Sequence, residues 1–91
     1  MINLHLIISG RVQGVGFRWS TVQLAQRMGL AGFVKNLING DVYVEVQGSV
    51  KIVQIFVKRL QRGPTPYASV TKIKQKNGDL QDYQGRFTVR R

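Results

Sequence analysis

The segment from Gly10 to Arg18, which reads Gly-Arg-Val-Gln-Gly-Val-Gly-Phe-Arg, has a composition suited to binding an anion. Glycines let the backbone bend so that successive N–H groups converge on one anion. A helix that begins here leaves its first N–H groups unpaired and adds partial positive charge from its dipole. The guanidinium of Arg18 can add a bidentate contact. These features predict a phosphate-binding loop, although Gly14 and Gly16 would also suit a simple tight turn with Arg18 solvated.

The loop does not match two common phosphate-binding motifs. It lacks the Gly-Lys-Ser/Thr of a Walker A loop, and Trp19 occupies the third glycine position of a dinucleotide-binding fingerprint. A second candidate residue is Asn36, which ends the run Gly32-Phe33-Val34-Lys35-Asn36 just before a hairpin turn expected at Asn39-Gly40. On its own, an asparagine in this place is typical of a turn.

Strands and helices must position these residues. Alternating apolar and polar side chains predict four strands and suggest a fifth, over Asn3–Ser9, Ala31–Asn36, Val42–Gln47, Ser69–Lys76 and Gly85–Val89. Helices are predicted over Phe17–Met28 and Val50–Gln61. The second helical segment is rich in β-branched residues, but we expect periodicity to outweigh that preference because apolar residues recur at helical spacing, at Val53, Phe56, Val57 and Leu60.

The order βαββαβ, followed by the suggested fifth strand, predicts an α+β fold. We expect a ferredoxin-like sandwich with an antiparallel sheet and both helices on one of its faces. A turn at Asn77–Asp79 is expected to follow the fourth strand. The chain length predicts one domain over residues 1–91. Because this architecture hosts enzymes, RNA-binding modules and metal carriers, the fold alone does not decide the function.

Composition excludes several kinds of site. With no cysteine and one histidine, His5, the chain can form no disulfide, no thiolate zinc site and no pair of imidazoles. Its four acidic residues are scattered along the sequence, so we expect neither a metal nor a cofactor. No apolar run reaches the ~18 residues of a membrane span. Since the amino terminus also does not resemble a signal peptide, we expect a cytoplasmic protein without a membrane partner.

The net charge of +10, from 14 Lys and Arg residues against four acidic ones, is the unusual feature of the composition. Residues 50–91 contain ten of the basic residues and only two acidic ones. Such an excess attracts anions such as phosphorylated metabolites or nucleic acid. A solvated surface is the ordinary explanation of surplus lysine and requires no partner.

Together, the two polar segments resemble the signatures of the acylphosphatase family. Residues 10–18 are similar to its first signature, and the run Gly32–Asn36 with the strand that follows Gly40 resembles its second. Residues 63–70 and Phe87–Arg90 are similar to its closing segments. The resemblance covers nearly the whole chain. It implies hydrolysis of acyl phosphates, which are mixed anhydrides of a carboxylic acid and phosphoric acid.

The same resemblance assigns roles to individual residues. Arg18 matches the arginine that binds the phosphoryl group, and Asn36 matches the asparagine that positions the attacking water. Within the 11–18 loop, the phosphate cradle of the family matches the amides of Gly14, Val15, Gly16, Phe17 and Arg18. The substrate is then a small acyl phosphate, with inorganic phosphate as product and competitive inhibitor.

Simple chemistry explains why so few groups suffice. The leaving group is a carboxylate whose conjugate acid has a pKa of ~4–5, so it departs without a general acid. The phosphoryl transition state is loose, and catalysis depends mainly on positioning and charge stabilisation. Arg18 and the loop amides supply the charge, and Asn36 supplies the position. We therefore expect a metal-independent hydrolase.

Alternatives from other classes stay open. A nucleic-acid-binding ferredoxin-like module would use the sheet aromatics Phe33 and Tyr43 beside basic residues; otherwise nucleic acid would bind only by nonspecific electrostatics. A second alternative is a noncatalytic accessory domain, like the acylphosphatase-like domain that begins the hydrogenase-maturation carbamoyltransferases. We expect the enzyme to be a monomer. The sequence leaves open whether Trp19 lines the mouth of the site and whether Arg11 steers phosphate towards it.

Overall fold

Two helices and five strands follow one another in the predicted order, with the suggested fifth strand present. The computed structural model describes residues 1–91. Its elements are β1 Ile2–Arg11, α1 Phe17–Arg27, β2 Ala31–Asn36, β3 Val42–Gly48, α2 Val50–Arg62, β4 Ser69–Gly78 and β5 Phe87–Val89. The glycine-rich loop therefore connects a strand to a helix, as the phosphate-loop hypothesis requires.

The five strands form one sheet in the order β4-β1-β3-β2-β5. β1 is antiparallel to both β3 and β4, and β2 is antiparallel to β3. β5 lies at the edge of the sheet, beside β2 and parallel to it. The predicted ferredoxin-like α+β fold is confirmed, and the parallel β5 makes its five-stranded sheet mixed.

One face of the sheet and both helices enclose the hydrophobic core. In β3, Val42, Val44 and Val46 are completely buried in this core, while the residues between them face the other side of the sheet. The helix α2 contributes the four side chains that its periodicity indicated, Val53, Phe56, Val57 and Leu60. Burial of this apolar stripe outweighs the β preference of the segment, because tertiary packing supplies most of a helix's stability in a protein.

The end of β4 differs from the prediction. The turn predicted at Asn77–Asp79 is wrong at its first two residues, because Asn77 and Gly78 pair with Leu4 and Asn3 of β1. Strand pairing gives the backbone N–H and C=O groups partners, which outweighs the local turn preference of Asn-Gly. The register of β1 and β4 shifts between Ser9 and Gly10, which accounts for the imperfect alternation of β4.

The connection between β2 and β3 is longer than a two-residue hairpin. Five residues, 37–41, lie between the strands. Within it, the Leu37 N–H donates to the Asp41 carbonyl and the Asn39 side chain accepts from the Asp41 N–H.

Neither helix combines the length and the apolar character needed to cross a bilayer.

Candidate active site

The loop between β1 and α1 presents unpaired backbone N–H groups at the start of a helix. Gly14 and Gly16 have φ angles of 72° and 77°, in the left-handed region that glycine adopts without steric cost. Gly16 is the N-cap of α1 and provides no side-chain cap for the N–H groups that follow. No backbone N–H from Gly14 to Trp19 donates to an acceptor in the protein. These donors are available to an anion, which the helix dipole also favours.

The loop borders a cleft of about 420 Å³ in which Arg18 and Asn36 lie together. The residues that line the cleft are Val12, Gln13, Gly14, Gly16, Phe17, Arg18, Trp19, Asn36, Val89 and Arg91. All the predicted site residues except Val15 are among them. Two elements distant in sequence, the loop before α1 and the end of β2, thus form one site.

Val15 and Phe17 contribute through their backbone. The Val15 side chain packs against the core, and its carbonyl accepts a 3.3 Å hydrogen bond from Thr65 Oγ1. The Phe17 side chain is 1% exposed and belongs to the core. Both backbone N–H groups remain without a protein acceptor, so the packing of these side chains holds the loop in place while its amides stay unpaired.

The cleft has uncompensated positive charge. Arg18 forms no ion pair, since the one ion pair of the protein joins His5 to Glu45. No acidic residue lines the cleft, and Arg91 adds a second guanidinium. Nowhere do three or more His, Cys, Asp or Glu side chains come together as a metal-ligand set. The groups in the cleft are therefore suited to holding an anion.

Asn36 lines the cleft and carries an unpaired polar atom. It is the last residue of β2 and pairs with Val42 of β3. Its Oδ1 atom is buried and has no hydrogen-bond partner within the protein. A buried amide oxygen without a donor is costly, so this atom is a candidate acceptor for a water molecule or for a group on a ligand.

Gln13 joins the glycine-rich loop to the segment that follows Asn36. Its Nε2 donates two 2.8 Å hydrogen bonds, to the carbonyls of Leu37 and Asp41. Sequence reasoning missed this role, because a glutamine in a glycine-rich loop does not indicate which distant carbonyls it contacts. Val89 and Arg91 were missed for a similar reason: they reach the cleft only because β5 pairs with β2.

A polar network around Glu45 lies on the sheet face opposite the helices. The hydroxyls of Tyr43 and Tyr83 each donate a 2.6 Å hydrogen bond to its carboxylate, and His5 Nε2 lies 3.8 Å from Oε2. Burial alone would raise the pKa of Glu45, but the two hydrogen bonds, His5 and Arg90 together lower it. Burial and the bond to Glu45 raise the pKa of Tyr83 to about 12. Through Tyr83, the network holds the segment that precedes β5 against the sheet.

Phe33, one of the two sheet aromatics of the nucleic-acid-binding alternative, is not open to stacking with bases. Phe33 is 5% exposed, and the Arg90 guanidinium lies 3.9 Å from the centroid of its ring. Tyr83 packs against the same ring at a centroid distance of 6.4 Å. Base recognition on a sheet of this kind requires accessible aromatic faces, so this arrangement does not favour the nucleic-acid-binding alternative.

Similar proteins share both the sequence pattern and the fold. The family model described as acylphosphatase matches residues 4–89. An acylphosphatase of Ligilactobacillus salivarius is 42% identical over 73 residues, covering 80% of this chain and 81% of that protein. An acylphosphatase of Archaeoglobus fulgidus is 38% identical over 84 residues, covering 92% and 93%. The crystal structure of acylphosphatase from Bacillus subtilis matches with a TM-score of 0.93 and 34% identity, and the match covers 100% of both chains.

Proposed function

The chain belongs to the acylphosphatase family, and from that premise we propose how it cleaves the carboxyl–phosphate bond of an acyl phosphate. The 11–18 loop amides and Arg18 hold the phosphoryl group, Asn36 positions the attacking water, and no metal ion takes part. The observation that supports this most is the meeting of unpaired loop amides, an unpaired guanidinium and an unpaired amide oxygen at one cleft.

Phosphate binding uses donors that have no other partner. The backbone N–H groups from Gly14 to Arg18 donate to the phosphoryl oxygens, and the Arg18 guanidinium donates a forked pair of hydrogen bonds. These donors are fixed before the substrate arrives, because side chains on either side of the loop are buried. They therefore stabilise the charge of the transition state without reorganising during the reaction.

Hydrolysis then needs only a well-placed water. Asn36 Oδ1 accepts a hydrogen bond from this water, whose oxygen attacks phosphorus on the side opposite the acyl oxygen. The new P–O bond forms as the bond to the acyl oxygen breaks, and that oxygen leaves with the electron pair as a carboxylate. An acyl phosphate dianion and water thus give a carboxylate and dihydrogen phosphate, with one water proton passing to a phosphoryl oxygen. A carboxylic acid pKa of ~4–5 means that the leaving group needs no proton.

The test is hydrolysis of benzoyl phosphate by the wild-type protein, Arg18→Gln and Asn36→Ala, each checked for folding by circular dichroism. Lys51→Gln and Asn77→Ala, at exposed positions outside the cleft, are matched controls. We expect each site variant to lose roughly 10²- to 10³-fold in kcat, the usual effect of removing one preorganised hydrogen-bonding group. Activity should persist in EDTA. A folded Arg18→Gln or Asn36→Ala variant with wild-type turnover would contradict the assigned role.

The same proposal covers the oligomeric state of the enzyme, its location, its inhibition and its binding of nucleic acid. Residues 1–91 act as one monomeric domain in the cytoplasm, inorganic phosphate inhibits competitively, and nucleic acid binds only through nonspecific electrostatics. Sedimentation at high protein concentration measures the oligomeric state, and steady-state inhibition measures competition by phosphate. A dimer, or noncompetitive inhibition, would require revision of the corresponding part.

A further inference from the structure

A groove between the two helices lies directly beside the cleft. Its volume is about 620 Å³, and its lining includes Trp19 and Arg27 of α1, Arg59 and Arg62 of α2, and Gly63 and Pro64 after α2. Trp19 lines the groove and also the cleft, so the two are adjacent and share a wall. With 67% of its surface exposed, Trp19 is not a core residue. A ligand held in the cleft can therefore extend past this side chain into the groove.

The three arginines of the groove have no carboxylate partner. Neither α1 nor α2 contains an acidic residue, and the one ion pair of the protein is His5–Glu45. The only side-chain hydrogen bond among Arg27, Arg59 and Arg62 runs from Arg27 Nε to the Gln23 carbonyl at 3.4 Å. A helix dipole favours a cation in the last turn, where each arginine lies. The helix dipole does not explain why arginines of two different helices line one groove. An anion bound there would relieve the repulsion between these arginines.

A hydrogen bond also links the wall of the groove to the phosphate loop. Gly63 and Pro64 line the groove, and Thr65, the next residue, donates its hydroxyl to the carbonyl of Val15 in the loop. Arg62 is therefore only three positions before Thr65, the residue that contacts the phosphate loop directly. Arginines therefore line both the cleft, at Arg18, and the adjacent groove, at the end of α2.

We propose that this groove is a subsite for a second anionic group, a carboxylate or phosphate on the acyl part of the substrate. This inference rests on the proposed function, because it places the scissile phosphoryl group in the cleft. The acyl chain passes Trp19, and the distal anion accepts forked hydrogen bonds from Arg59 and Arg62. The enzyme then prefers acyl phosphates of diacids to those of neutral monoacids.

The test compares two substrates that differ in charge but hardly in shape. They are 4-carboxybenzoyl phosphate and 4-methylbenzoyl phosphate; the para-carboxylate of the first cannot cyclise onto its own acyl group. We expect the wild type to have a higher kcat/KM for the carboxylated substrate. Arg59→Gln and Arg62→Gln should each reduce that preference roughly two- to five-fold, in the range of exposed ion pairs, and leave the rate with the methyl substrate unchanged.

Lys58→Gln is the matched control. Lys58 is next to Arg59 in the sequence and is also exposed, but it lines a different depression, beside Leu4 and Gln75. The same charge is lost, so an equal fall of the preference in Lys58→Gln would overturn the subsite in favour of long-range attraction. Equal kcat/KM for both substrates in the wild type would overturn the subsite alone. No hydrolysis of the methyl substrate would instead show that the proposed function fails, and the subsite with it.

Discussion

Replacing Gln13 by methionine tests whether this one side chain holds the glycine-rich loop and the end of β2 in their relative positions. Methionine keeps the length and volume of glutamine but removes its Nε2 donor. The change breaks two 2.8 Å hydrogen bonds, to the Leu37 and Asp41 carbonyls. With a net contribution of about 0.5–1.5 kcal/mol for each bond, the free energy of unfolding should fall by about 1–3 kcal/mol.

Gln13→Met should also separate binding from turnover. The groups proposed to bind phosphate, which are the loop amides and Arg18, precede or follow Gln13 in the loop, and Asn36 lies on the other side of its contact. Loss of the contact leaves the first set intact and lets Asn36 shift. A displacement of roughly 1 Å can cost about 10²-fold in rate, so we expect kcat to fall by up to that factor while the inhibition constant of phosphate changes little.

Steady-state kinetics with benzoyl phosphate, phosphate inhibition and urea unfolding measure these effects. Gln54→Met, at an exposed position of α2 outside the cleft, controls for the general effect of losing a glutamine. Two results would refute the reasoning. Unchanged kcat in a destabilised protein would make Gln13 purely structural, and a phosphate inhibition constant that weakens as much as kcat falls would make it part of the cradle itself.

Further predictions concern the Glu45 network, the core and the surface charge. Tyr83→Phe removes the 2.6 Å hydrogen bond to Glu45 and the 2.9 Å bond that the Tyr83 hydroxyl accepts from Asn3. The free energy of unfolding, measured in urea, should fall by about 2 kcal/mol, the low end for one bond to a charged group and one neutral bond, because Tyr83 is only partly buried. Because the folded protein lowers the pKa of Glu45, its contribution is complete above the usual value of 4.5 and is lost as the pH falls below it. Acid titration of stability should show this loss in the wild type and not in Glu45→Gln. Phe56→Ala, at a fully buried ring that meets Phe87, should cost about 3–5 kcal/mol in the same unfolding assay. Finally, kcat/KM should fall as salt is raised, since the net charge of +10 attracts the anionic substrate; a salt-independent value would exclude this attraction.

Local patterns were sufficient for most of the elements. α2 could be predicted despite its β-branched residues, because the helical spacing of Val53, Phe56, Val57 and Leu60 coincides with the face that is buried. β2 begins and ends at the residues predicted, Ala31 and Asn36. The turn predicted at Asn77-Gly78 was wrong because the turn preference of these residues is local. The pairing with β1 that overrides this preference involves residues far away in the sequence.

The candidate site was predictable where its residues are adjacent in sequence. The glycines and Arg18 indicated an anion-binding loop because the required φ angles and the free helix amides are properties of one short segment. Resemblance to the acylphosphatase family linked that loop to Asn36. Periodicity and spacing offered no measure of the distance between the two.

By itself, the sequence determined most of the elements, the glycine-rich loop before α1 and the strong positive charge, since these depend on residues a few positions apart and on composition. Only the tertiary structure decided that Gln13 bonds to carbonyls 24 and 28 positions away, that β5 brings Arg91 to the cleft, and that arginines of two helices share a groove with Trp19. The physical reason is that the order of strands in the sheet and the packing of helices against it set these distances. The strand order and the helix packing depend on the free energy of the whole core, which no single segment of the sequence determines.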